Sequence, residues 1–427
     1  MGGYFYVRLN TGTHDPLFVK AIVLEKDGVK AALVVCDLES VLLQTTLAAR
    51  KAIEQETGLH GDRVVLSATH SHTGPEVSRI ILDQVPGPAG EKVRAYWEAL
   101  PEKIAQCVQK AETNLAPARA WSAVGSEPSL VFNRRFLMKD GTIRFNPGQL
   151  NPDIVRPVGP IDPSIPLVYF DSPDSRPLAV SVNYALHLDT VGGTQFSADY
   201  PYTLSRILAQ VKDPDMLTLF TIGTAGNINH LDVSNDRVQQ GHGEASRIGT
   251  VLAAEVLKTL GRMQSAGTGP LQVGREIVEL PVQPLQPGEV EKGRVLVDKA
   301  LQANKETDEI PFLELVSAYR AVGLDEYKGK PIEVEVQVIT LGDRVAWVAL
   351  PGEVFVELGM AIKLASPFPT TSIIELSGDM IDYVPDRKAY VEGAYEVINA
   401  RCQPGSGEML VNAATRLLTD AYRTVRK

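Results

Sequence analysis

RVVLSATHSHTGPE, residues 63–76, begins as a short β-branched run and turns polar at His70 and His72. Such a run, stopped by Gly and Pro, reads as a buried strand ending in a turn. The pattern recurs. PLAVSV leads into NYALH at 183–187, MLTLFTI into GTAGNINH at 223–230, RVAWVAL into LPGE at 350–353, and TSIIEL into GDMIDYV at 378–384. Strands that feed polar loops at one sheet edge gather distant residues around one crevice, where open α/β folds bind ligands. Helical patterns lie between the runs: TTLAARKAIEQETG (45–58), EKVRAYWEALPEKIAQCVQKAE (91–112), ASRIGTVLAAEVLKTLGRM (245–263) and GEMLVNAATRLLTDAYRTVRK (407–427). The alternation predicts an α/β fold with mixed β-sheets covered by helices.

His70 and His72 are spaced so that, on an extended segment, both rings face one side about 7 Å apart. An isolated His-X-His pair also occurs simply hydrogen-bonded to backbone. His187 alone reads as a core histidine, Glu353 as a first-turn carboxylate of the helix that follows it, and Tyr383 as a half-buried aromatic. Together they make a donor set. Two histidines and a glutamate with an open position form a catalytic zinc site, and a tyrosine joins as phenolate once a cation lowers its pKa from about 10. Asn227 and Asn229 offer amides near a reacting carbonyl. After Asn133, Arg134 and Arg135 are either an anion-holding group or a solvated pair. Asp199 either orients a ligating histidine or caps the following helix. His14, His60, His230 and His242 lack a comparable setting.

The 427 residues, 44% hydrophobic and 22% charged, suit a folded enzyme. Net charge is −10, with no basic run interleaved with aromatics, so a nucleic-acid partner is excluded. Cys36, Cys107 and Cys402 are too few and too dispersed for a disulfide framework. No apolar run reaches the roughly eighteen residues of a transmembrane segment, and no signal peptide is visible; the expected location is cytoplasmic, or secreted with the signal removed. MQSAGTGP at 263–270 is linker-like. The expected organisation is a single catalytic domain, 1–427, in two lobes, 1–265 and 266–427, with a helical cap at 284–329.

GTHDPLFVKAIVLE (12–25), SATHSHTGPE, FNRR (132–135), NYALH, FSADY (196–200), GTAGNINH, LPGE and DYVPDRKAYVEGAYE (382–396) occur in an order that resembles the neutral/alkaline, non-lysosomal ceramidases, zinc-dependent N-acyl hydrolases. The resemblance implies zinc held by His70, His187, Glu353 and Tyr383. It also implies His72 beside the metal, Arg134 at the substrate and Tyr395 as a further active-site tyrosine. Where that family has a Gly-Asp-Val-Ser turn with its nucleophilic serine, this chain reads Gly226, Asn227, Ile228, Asn229. A serine acyl-enzyme is therefore not expected. Relatives carry an upstream strand, so either the start is truncated or that edge strand is absent; they also carry a C-terminal β-sandwich module, which is not expected here.

The sequence thus predicts a ceramidase-like zinc hydrolase that cleaves a small or medium amide by metal-activated water. His72 would carry the proton, and Asn229, Arg134 and Tyr395 would stabilise the oxyanion. An esterase or lactonase on a soluble substrate, or a metal-containing binding protein without turnover, are the alternatives.

Overall fold

The computed structural model describes residues 1–83, 85, 87–303 and 310–425. All five expected strands form, as Val64–Ala68, Pro177–Tyr184, Leu217–Ile222, Val345–Ala349 and Thr370–Ile374. They belong to three sheets. Val19–Lys26, Val29–Cys36 and Val64–Ala68 make the first. The second has the order Leu217–Ile222, Pro177–Tyr184, Ser164–Asp171, Arg119–Ser126 and Gln264–Ser265. Leu271–Leu280, Ile332–Leu341, Val345–Ala349 and Thr370–Ile374 make the third.

Period-two alternation explains the layering, because successive side chains on a strand point to opposite faces. On the first sheet Val34, Cys36, Leu66 and Ala68 face the helices Leu43–Thr57 and Gly87–Thr113, while Leu33, Val35 and Val65 face inward. The inward residues meet Val168, Phe170 and Leu219 of the second sheet, and Ile339, Val345 and Trp347 of the third. The second sheet's outer face carries the helices Tyr200–Val211 and His242–Leu260; the third carries Val356–Ala365 and Ser406–Val425. Sheet thus packs on sheet, with helices outside. Strands covered on both faces read as continuous apolar runs rather than alternating ones.

The helix Gly87–Thr113 continues through Pro101, as the sequence pattern required. Gln264–Ser265, inside the linker-like stretch, pair with Trp121 and Ser122 as an edge strand. Within the expected cap at 284–329 the helices Glu289–Ala303 and Phe312–Asp325 form; residues 304–309 lie outside the described residues. Each of the three sheets has one pair of adjacent strands that runs parallel: Val29–Cys36 with Val64–Ala68, Pro177–Tyr184 with Leu217–Ile222, and Val345–Ala349 with Thr370–Ile374. His70, His187, Glu353 and Tyr383 all follow C-terminal ends of these strands.

Candidate metal centre

His70 leaves its strand in a left-handed conformation, φ +76°, not the extended one expected from the His-X-His spacing. That region is unfavourable for a residue with a side chain and persists only where surrounding bonds impose it. Here Thr69 N donates to Cys36 O at 2.9 Å, and His70 N and Ser71 N both donate to Leu38 O, at 2.8 and 3.1 Å. The turn folds the two rings towards each other. Their Nε2 atoms stand 3.2 Å apart.

His70 Nδ1 lies 2.8 Å from the Glu39 carbonyl, an acceptor that holds the ring proton on this nitrogen and leaves Nε2 with a lone pair. That Nε2 is 3.0 Å from His187 Nε2 and 3.4 Å from Glu353 Oε2 as well. One proton cannot serve three such neighbours. The His70 ring is nearly perpendicular to both partners, at 89° and 88°. Two ligands of a tetrahedral zinc at 2.0–2.1 Å are about 3.3 Å apart, so the observed spacing suits a shared cation. Glu353 Oε2 and His187 Nδ1 are buried with no hydrogen-bond partner among the described residues. Such orphaned polar atoms are costly, and a cation shared by the two Nε2 atoms would relieve Glu353 Oε2. The donor set fits zinc.

The electrostatics of the ion-free cluster agree. Burial and then the neighbouring His70 bring His72 down to about 4. Burial would also lower His70, but Glu353 and Glu39 outweigh it and raise the ring to about 9. Burial would raise Glu353, yet His70 and His187 hold it down to about 2. Without an ion the cluster thus keeps its one proton on His70 against Glu353, while burial and the neighbouring His70 hold His72 and His187 neutral with free lone pairs. His14, Asp15 and His242 also bring donor atoms close together, but the His14 and His242 rings stack at 3.5 Å with only 10° between planes. In-plane lone pairs of parallel rings do not converge, and this group has no metal geometry.

Tyr383 is brought beside Glu353 by pairing. Glu353–Val354 and Tyr383–Val384 form a parallel two-stranded ribbon in which Glu353 is the register partner of Tyr383. Tyr383 OH accepts from Arg134 Nη2 at 3.0 Å, and burial pushes its pKa well up, a shift that Arg134 opposes. Arg134 is not solvated. Its Nη2 also donates to Gly226 O at 2.8 Å, and its Nε meets Glu396 Oε1 at 3.0 Å, while Arg135 Nη1 meets Glu396 Oε2 at 2.9 Å. Tyr395 packs edge-on against Tyr383, ring centres 5.4 Å apart. Asn229 stands apart in its bonding: Nδ2 donates to Asn146 Oδ1 at 2.8 Å and Oδ1 accepts from Leu231 N at 3.1 Å. Asp199 caps its helix, accepting from Tyr200 N at 2.6 Å.

Three partners went unread in the sequence. The Glu39 carbonyl has no residue-type signal, because any residue supplies one. Glu396, the buried counter-ion of both arginines, directly follows Tyr395 and was detectable only as an acid near a candidate. Asp189 lies 3.3 Å from His230 Nδ1, a pairing of segments 41 positions apart. A cavity of about 400 Å³ opens beside the cluster, with His70, His72, Glu353, Tyr383, Tyr395, Tyr319 and Tyr327 in its lining.

Fold and centre together describe an α/β protein with paired inner sheets and a buried imidazole–carboxylate cluster at strand ends. Among solved structures, the chain is similar to neutral ceramidase from Pseudomonas aeruginosa, with a TM-score of 0.72 at 17% identity over 98% of this chain and 72% of that one. A ceramidase complexed with C2 is similar at a TM-score of 0.73 and 17% identity, over 99% and 72%. At this identity the likeness is one of fold. No family model and no curated protein matches the chain. No described helix is long and apolar enough to cross a membrane.

Proposed function

We propose that this protein is a zinc-dependent hydrolase that cleaves the amide bond of an N-acyl compound. The observation that carries the reading is the convergence of His70, His187 and Glu353 on one point, with the buried Glu353 Oε2 left unpartnered there. His70, His187, Glu353 and Tyr383 would hold the metal, which supplies an activated water near neutral pH and a polarised carbonyl. His72 faces the cavity beside these donors; kept in the base form by its depressed pKa, it would take a proton from the attacking water and pass that proton to the leaving amine. Arg134, fixed through Glu396 and Gly226, would steady Tyr383 and, with Tyr395, the developing oxyanion. Asn229 would contribute through the position of its turn. The ceramidase fold supports the amide as the bond attacked.

We read the chain as one catalytic domain of two lobes, 1–265 and 266–427, with 284–329 as a cap. The origin of the donors supports this, since His70 and His187 precede the division and Glu353 and Tyr383 follow it.

The test is metal analysis of protein purified without added metal, followed by amide, ester and lactone substrates, long-chain ceramide among the amides. One equivalent of zinc and fastest turnover of a soluble amide are expected. Faster ester or lactone cleavage would replace the amide by that bond, and a tightly held ligand without turnover would make this a binding protein.

A further inference from the structure

The geometry points to Phe5 as the residue that ends the acyl side of the cavity, so that the hydrolase proposed above, on which this inference rests, takes short acyl groups on a polar amine. At about 400 Å³ the cavity lies near the small end of the range for ligand pockets, roughly 300–1,000 Å³. Its walls differ in chemistry. Phe5, Ile80, Ile81 and Tyr319 make an apolar side. Arg401 makes a polar one, its Nε 2.5 Å from Asp382 Oδ2 and its Nη1 3.3 Å from Tyr327 OH. Apolar chain gains by burial against the first wall, whereas hydroxyl groups find partners on the second.

Phe5 cannot drift from this place, because its segment is fixed at three points. Gly3 adopts φ +92°, and a Cβ there would come within 2.7 Å of the His72 ring. The backbone is thus laid directly against the candidate centre. Arg8 donates to His72 O at 2.6 Å and to Gly193 O at 2.7 Å, with its guanidinium 4.0 Å from the centre of the Tyr4 ring. Tyr319 OH donates to Phe5 O at 3.1 Å, and the Phe5 ring packs against Tyr319 and Phe312 at 5.2 and 6.0 Å. The Phe5 wall is therefore tied to the segment that carries His72, and it limits chain length on the apolar side.

The experiment uses the zinc-loaded full chain and N-acetyl, N-hexanoyl and N-dodecanoyl derivatives of one amino diol. Wild type is expected to favour acetyl over dodecanoyl in kcat/KM by at least about tenfold. Phe5→Ala should reduce that ratio about tenfold by raising the dodecanoyl value. Phe5→Leu, which keeps apolar packing but shortens the wall, should give an intermediate shift and guards against a misfolded alanine variant. Binding of acetate, hexanoate and dodecanoate is measured by calorimetry in parallel, since it needs no turnover. If no amide is cleaved but Phe5→Ala improves dodecanoate binding, the wall stands and the hydrolase reading falls. If amides are cleaved while neither rates nor binding respond to position 5, or wild type prefers dodecanoyl, the wall is wrong and the hydrolase stands.

Discussion

His72 and His187 both lie against His70, yet their proposed roles differ, and substitution separates them. His187→Ala and Glu353→Ala each remove a donor and should release zinc, seen as metal content well below one equivalent after dialysis. His72→Ala should keep the metal and lose about 10² to 10⁴ in kcat, the usual contribution of a positioned proton carrier. Zinc loss in His72→Ala would make it a ligand, as its 3.2 Å approach to His70 also allows. Glu396 poses a different question. It is fully buried between Arg134 and Arg135, and removing one partner of such a group strands the others. Glu396→Leu should cost about 3–5 kcal/mol in urea unfolding.

Elements are joined by a few charged contacts whose pH response is predictable. Lys363 on the helix Val356–Ala365 reaches Asp162 at 2.7 Å, just before the strand Ser164–Asp171. Burial would raise Asp162, but Lys363 and Ser164 outweigh it and hold the carboxyl below its usual range. An acid with a folded pKa below its unfolded value, about 3.9, stabilises above that value and loses the effect as pH falls through the folded one. Asp162→Asn should therefore lower stability by about 1.5–3 kcal/mol at pH 6. That difference should shrink below pH 4 in urea melts taken across the range. A difference independent of pH would place the contribution in packing instead.

Across the whole molecule, the three sheets share one apolar layer, and Trp347 is its largest fully buried side chain. Its Nε1 donates to Ser181 Oγ at 3.3 Å, tying the third sheet to the second. Trp347→Ala should cost about 3–5 kcal/mol by transfer and cavity terms. Zinc content per folded molecule should stay near wild type, because both sheets keep their strand ends. A loss of metal larger than the unfolded fraction would show that the inner layer also sets the spacing of the donors.

Strand and helix positions were legible along the chain because they depend on local period and on Gly and Pro punctuation, which neighbours in sequence supply. The types of candidate donor were legible for the same reason. Their mutual placement was not. The approach of His72 to His70 depends on a left-handed turn that Cys36 and Leu38 impose from another strand, and the register of Glu353 with Tyr383 depends on a ribbon formed only after both loops fold back. The burial of Arg134 and Arg135 required Glu396, some 260 residues away. Periodicity reports which face of an element is apolar. Only the packed sheets decide which atoms then face each other across three ångströms.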